Sequence, residues 1–139
     1  MKVGHVHLKV RDLDRALAFY RDLLGLRVTE RLGDDMVFLT FGAAHHDVAL
    51  QAVGHGAPAA SPRAVGLYHT AFEVGTEAEL AALAARLAGA GYPGAPVDHG
   101  ISHAYYTADP DGNGVEIYRD TRGENARTEW HGQSQVLKL

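Results

Sequence analysis

Residues 4–10, GHVHLKV, alternate apolar and polar side chains, which puts Val6, Leu8 and Val10 on one side of a predicted strand and His5, His7 and Lys9 on the other. The period then lengthens. After Asp12, a helix-capping residue type, Leu13, Ala16, Leu17, Tyr20 and Leu24 recur at helical spacing until Gly25 stops them. Three shorter runs follow, residues 26–32, 36–41 and 46–53, separated by turn sequences at Gly33-Asp34-Asp35 and Gly42-Ala43-Ala44. Residues 1–53 thus predict a β-α-β-β-β module.

Residues 54–66, GHGAPAASPRAVG, have no periodicity and read as a linker. The order then begins again. In LYHTAFEV, residues 67–74, Thr70, Phe72 and Val74 alternate with His69, Ala71 and Glu73, so His69 takes the place that His5 holds in the first run. Thr76 with Glu79 forms a capping-box pattern before a stripe of Leu80, Leu83, Ala84 and Leu87, and glycines at 89 and 91 end the helix. Strand-like runs near 95–98, 102–108 and 114–119 complete a second module over residues 67–120. The expected fold is α+β: two β-α-β-β-β modules forming a curved mixed sheet around a trough able to bind metal. Residues 121–139 lie outside both copies as a C-terminal tail, with Trp130 expected to pack against the body.

Composition narrows the chemistry. With 139 residues and a net charge of -4, the chain has no basic stripe for nucleic acid or anionic lipid. A small molecule is the expected partner. No cysteine is present, so thiolate nucleophiles, disulfides and sulfur-ligated metals are excluded, whereas nine histidines offer nitrogen ligands. No apolar run reaches spanning length and the first residues enter a strand pattern directly, so the expectation is a cytoplasmic protein with no membrane partner.

Two modules curling around one trough would line it with their first strands, bringing in His5 and His69. Glu116 stands between Val115 and Ile117 on the last strand of the second module, where strand parity turns it toward the same trough. Two imidazoles and one carboxylate are the donor set of the facial triad that holds non-haem Fe(II) and leaves positions open for substrate and oxygen. Each residue alone reads as an ordinary polar-face residue of a sheet; matched parity within a repeat argues for a site. His7 reads as polar-face, His55 and His131 receive no role, and His103 reads as surface. The turn Asp109-Pro110-Asp111-Gly112 has turn chemistry and no predicted contact.

The stretches GHVHLKVRDLDRALAFYRDLLGL, YHTAFEV and YTADPDGNGVEIY together resemble the vicinal oxygen chelate superfamily over almost all of residues 3–120. That superfamily includes glyoxalase I, extradiol dioxygenases, fosfomycin-modifying enzymes and bleomycin-binding proteins. The resemblance implies His5, His69 and Glu116 as metal ligands. Glyoxalase I adds a Glu on the last strand of the first module, where this chain has Ala49; Asp47 or Gln51 would take the place if the register shifted by two. Extradiol dioxygenases use three ligands. The resemblance to them further implies His46 of HDVAL as an acid-base residue, Tyr106 as the group that hydrogen-bonds the substrate oxygen, and His99 of HGIS as an additional site histidine. Strand parity alone does not choose between Tyr105 and Tyr106. The expected activity is cleavage of a small aromatic diol by O2 with Fe(II), or Mn(II), in a homodimer. The alternatives are a glyoxalase-like isomerase or thiol transferase, and a metal-free bleomycin-type binding protein.

Overall fold

In the computed structural model, which describes every residue except Pro62 and Asn125, the alternating segment forms strand β1, Val6–Val10. Leu8 and Val10 are buried while His7 and Lys9 are exposed, as the pattern predicts. The described residues divide into two units, Met1–Gly66 with Asp109–Asn113, and Leu67–Ala108 with Gly114–Leu139.

In the first unit Asp12 caps helix α1, Leu13–Leu17, by accepting from the Arg15 amide at 2.8 Å. The helix then widens into π-helical turns over Ala18–Leu23. This departs from the regular helix expected over 13–24. The extra residue per turn lets both Phe19 and Tyr20 reach the core beside Leu13, Ala16, Leu17 and Leu24. Gly25, at φ +88°, ends the segment in the left-handed conformation that glycine adopts without strain. Strands β2 (Arg27–Leu32), β3 (Met36–Thr40) and β4 (Val48–Ala52) complete a sheet ordered β1-β4-β3-β2, with β1 parallel to β4. β4 starts at Val48 because Asp47 turns back to accept from the Thr40 hydroxyl and the Phe41 amide, leaving His46 ahead of the strand. The Asp109–Asn113 turn does make contacts. Asp109, 4 % exposed, accepts from the Tyr20 hydroxyl at 3.0 Å and from the Asp111 and Asn113 amides, while Asp111 pairs with Arg11 at 3.0 Å.

The second unit repeats the order with β5 (Thr70–Glu73), α2 (Glu77–Gly89), β6 (Ala95–Asp98), β7 (Ser102–Ala108) and β8 (Gly114–Asp120). Both halves of the Thr76–Glu79 capping box are formed, and Leu80, Ala84 and Leu87 are buried. The tail adds an element that its sequence does not announce: Gln135–Val136 pairs with β6 as β9, giving the order β5-β8-β7-β6-β9. The strands thus form two mixed sheets, of four and of five strands.

The register makes the repeat quantitative. Val6 opens β1 opposite Val48, and Thr70 opens β5 opposite Val115, so His5 and His69 each immediately precede the opening residue. By the same correspondence Ala49 in the first sheet occupies the place that Glu116 occupies in the second. Ala49 is 1 % exposed, and its methyl group supplies no ligand.

Candidate functional site

Tyr106 on β7 lies directly opposite Glu116 on β8, and paired residues of antiparallel strands share a face. That resolves the choice that parity left open. Tyr105 pairs with Ile117 on the other face, is buried, and donates its hydroxyl to the Tyr92 carbonyl at 3.3 Å. Tyr106 instead donates to Glu116 Oε1 at 2.9 Å. Glu116 is only 9 % exposed, and its second oxygen, Oε2, lies 2.9 Å from His69 Nε2.

The network continues outward. His99 Nε2 is 2.9 Å from the Tyr106 hydroxyl, and Ser134 Oγ is 3.0 Å from His99 Nδ1. Proton bookkeeping orients these bonds. A carboxylate only accepts, so Tyr106 donates to Glu116; the phenol oxygen then accepts from His99 Nε2–H, and the Ser134 hydroxyl bonds the other ring nitrogen. Burial pushes the Tyr106 phenol well above its ordinary pKa, and the hydrogen bond and negative charge of Glu116 push in the same direction. The phenol is held as a donor. A cleft of about 370 Å³ beside this network is lined by Tyr68, His69, Tyr106, Thr107, Gly114 and Val115. Gly114 is required by close approach: a Cβ there would stand 2.3 Å from the Tyr68 carbonyl oxygen and 3.0 Å from His69 Cβ.

In the first unit His5 is exposed and its ring lies 4.3 Å from that of His46. His46 also meets Phe38 at 5.1 Å and approaches His45, with 3.0 Å between their Nδ1 atoms. Its pKa is lowered, first by lost hydration and then by the imidazoles of His5 and His45. His7, His55 and His131 are exposed. His103 points to the helix side of its sheet, where Nδ1 meets Glu77 Oε2 at 2.8 Å and Arg119 joins the same carboxylate.

The structure therefore joins His69, Glu116, Tyr106 and His99 in one network of the second unit, and His5 with His46 in the first. Among the described residues no group of three His, Asp or Glu side chains is placed to hold a metal ion. The His69–Glu116 pair does have the chemistry of two ligands. An imidazole nitrogen and a carboxylate oxygen 2.9 Å apart match neighbouring ligands at right angles on a divalent ion with bonds of about 2.1 Å. The other ring nitrogen, His69 Nδ1, is buried without a hydrogen-bond partner among the described residues. The sequence reading missed Tyr68 and Ser134, and left the partner of Trp130 open. Tyr68 carried one signal, adjacency to His69. Ser134 meets a residue 35 positions away, a separation that no local pattern encodes.

Comparison with known proteins identifies the family. Residues 2–117 match the model of the Glyoxalase/Bleomycin resistance protein/Dioxygenase superfamily. The chain is 38% identical over 121 residues to biphenyl-2,3-diol 1,2-dioxygenase 3 of Rhodococcus globerulus, covering 86% of this chain and 63% of that protein. It is 33% identical over 118 residues to catechol-2,3-dioxygenase of Bacillus subtilis, covering 85% of this chain and 41% of that one. The chain thus spans less than two thirds of the length of either relative. Among solved structures, a glyoxylase/bleomycin resistance protein/dioxygenase domain from Frankia sp. superposes with a TM-score of 0.73 at 26% identity, over 86% of this chain and 98% of that one. With the same strand order in both modules and a family match over residues 2–117, the chain belongs to the glyoxalase/bleomycin resistance protein/dioxygenase superfamily.

Proposed function

We propose that the chain is an extradiol-type ring-cleaving dioxygenase acting on a catechol-like small molecule, with His5, His69 and Glu116 holding Fe(II) or Mn(II). The observation that carries this reading is the network from His99 through Tyr106 to Glu116 and His69. Such an ion, when bound, would supply electron transfer between the diol and O2. Both oxygen atoms enter the product as one ring carbon–carbon bond breaks, so no external reductant is consumed. The chain's own groups orient and move protons. Tyr106, held as a neutral phenol, would turn its single O–H from Glu116 to a diol oxygen once that carboxylate was engaged by a metal ion. His46, with its pKa lowered, is an acceptor for a diol proton near neutral pH. His99 holds the Tyr106 phenol oxygen. The alanine at position 49 separates this reading from a four-ligand isomerase.

The relatives' names, a biphenyl-diol dioxygenase and a catechol dioxygenase, support an aromatic diol as substrate. A homodimer remains part of the proposal, and the sedimentation behaviour of the protein tests it. The decisive experiment loads the protein anaerobically with Fe(II), measures metal stoichiometry, and follows oxygen uptake and ring-opening absorbance with a panel of catechols. Glu116→Ala is expected to abolish metal retention while Val115 and Ile117 keep the strand packed. His46→Ala is expected to retain metal and lower turnover by about 10²-fold or more. Full metal retention by Glu116→Ala, or no oxygen uptake with any diol, rejects the proposal.

A further inference from the structure

Five aromatic rings of the second unit touch one another in series. Consecutive centroids lie 5.5 Å apart from Tyr68 to His69, 5.6 Å from His69 to Tyr106, 5.9 Å from Tyr106 to His99 and 5.5 Å from His99 to Trp130. These are separations at which aromatic rings interact favourably. The carboxylate of Glu116 meets His69 and Tyr106, and the cleft is lined by Tyr68, His69 and Tyr106. Trp130 closes one end of the series, and it comes from the tail, outside the repeated modules.

Trp130 is fixed in place yet left open. Its indole N–H donates to the Gln133 carbonyl at 2.7 Å, and its ring meets the His99 ring nearly perpendicularly, at 83°. The tail around it is fastened by the Ser134–His99 hydrogen bond, by β9 on β6 and by the Leu137 amide on the Pro96 carbonyl. Even so, Trp130 remains 52 % exposed. A large aromatic side chain held this firmly, with half its surface open, offers a prepared face for a flat ligand at little conformational cost.

We propose that Trp130 is a specificity-determining residue: it extends the aromatic series so that a diol carrying a second flat ring binds better than a single-ring diol. This rests on the reading of His69, Glu116 and Tyr106 as the place where the diol engages. A second ring on the diol would extend beyond the diol site on the Tyr106 side, toward His99 and Trp130. Tyr68, at the other end and 88 % exposed, lines the cleft itself and borders the diol-bearing ring.

The chain has a single tryptophan, so its emission reports on position 130 alone. Titration of the anaerobic, Fe(II)-loaded protein with biphenyl-2,3-diol is expected to perturb that emission, and catechol is expected to do so much less. In equilibrium dialysis, Trp130→Ala should weaken binding of biphenyl-2,3-diol by about three- to tenfold more than binding of catechol, the range of one aromatic contact. Trp130→Phe should restore most of the preference. Circular dichroism of both variants confirms that the fold is kept. An unperturbed tryptophan together with an unchanged preference in Trp130→Ala overturns the inference, even if ring cleavage proceeds. A preference that depends on Trp130 without cleavage of any diol upholds the inference and instead rejects the proposed reaction.

Discussion

Replacing Gly114 by alanine tests whether the geometry around His69 is as tight as the structure implies. The position opens β8 and its backbone is not left-handed, so the demand for glycine is steric. The added Cβ would lie 2.3 Å from the Tyr68 carbonyl oxygen, against an ordinary carbon–oxygen contact of about 3.3 Å or more. It would also press on His69 Cβ at 3.0 Å. Both neighbours belong to the entry of β5, so backbone must move by about 1 Å, and overpacking of this kind costs about 1–3 kcal/mol. The same shift carries His69 away from Glu116: a 2.9 Å contact lengthened by that amount is no longer a hydrogen bond. Urea denaturation of Gly114→Ala should therefore show a lowered midpoint with an unchanged slope, and Fe(II) retention should fall with it. Gly123→Ala is the control, because nothing lies within 4 Å of the Cβ it would add. It should stay within about 0.5 kcal/mol of the parent. If Gly114→Ala is as stable as that control and holds metal equally well, β8 does not approach Tyr68 and His69 this closely.

Tyr20→Phe removes the donor at 3.0 Å from the buried Asp109 carboxylate but leaves the Asp111 and Asn113 amides in place; the loss should be about 1–2 kcal/mol in urea denaturation. Burial raises the pKa of Tyr20, Tyr105, Tyr106 and Tyr118, with Asp109, Glu116 or Glu73 adding to it for three of them. Native protein titrated at 295 nm should therefore show these four ionising later than the unfolded chain does, at about pH 10. Because the folded values lie above the unfolded ones, the stability this contributes is present below about pH 10 and declines as pH rises further. Tyr106→Phe should leave the first part of that titration unchanged. For His46, whose folded pKa is lowered, the sign reverses. Its contribution is present above the unfolded value of about 6.5 and is lost as pH falls below it, so His46→Asn should flatten the decline in melting temperature between pH 7 and pH 5.

Alternation in GHVHLKV and TAFE, the further short runs between turn residues, and helical stripes after Asp12 and Thr76 located strands β1 to β8 and the starts of both helices, because these patterns reflect which side of each element is buried. They also placed His5 and His69 at equivalent positions and turned Glu116 away from Val115 and Ile117. The sequence by itself could not foresee the π-helical turns at 18–23, since adding a residue per turn answers to core volume around Phe19 and Tyr20. Nor could it choose Tyr106 over Tyr105. That choice depends on which residue of β7 lies opposite Glu116, and cross-strand register is a property of the paired strands. Tertiary structure alone decided that the tail supplies β9, Ser134 and Trp130 to the surroundings of His99, and that Asp109 is buried under Tyr20. Local periodicity records burial along one element, whereas contacts between residues distant in the chain are fixed only when the elements pack.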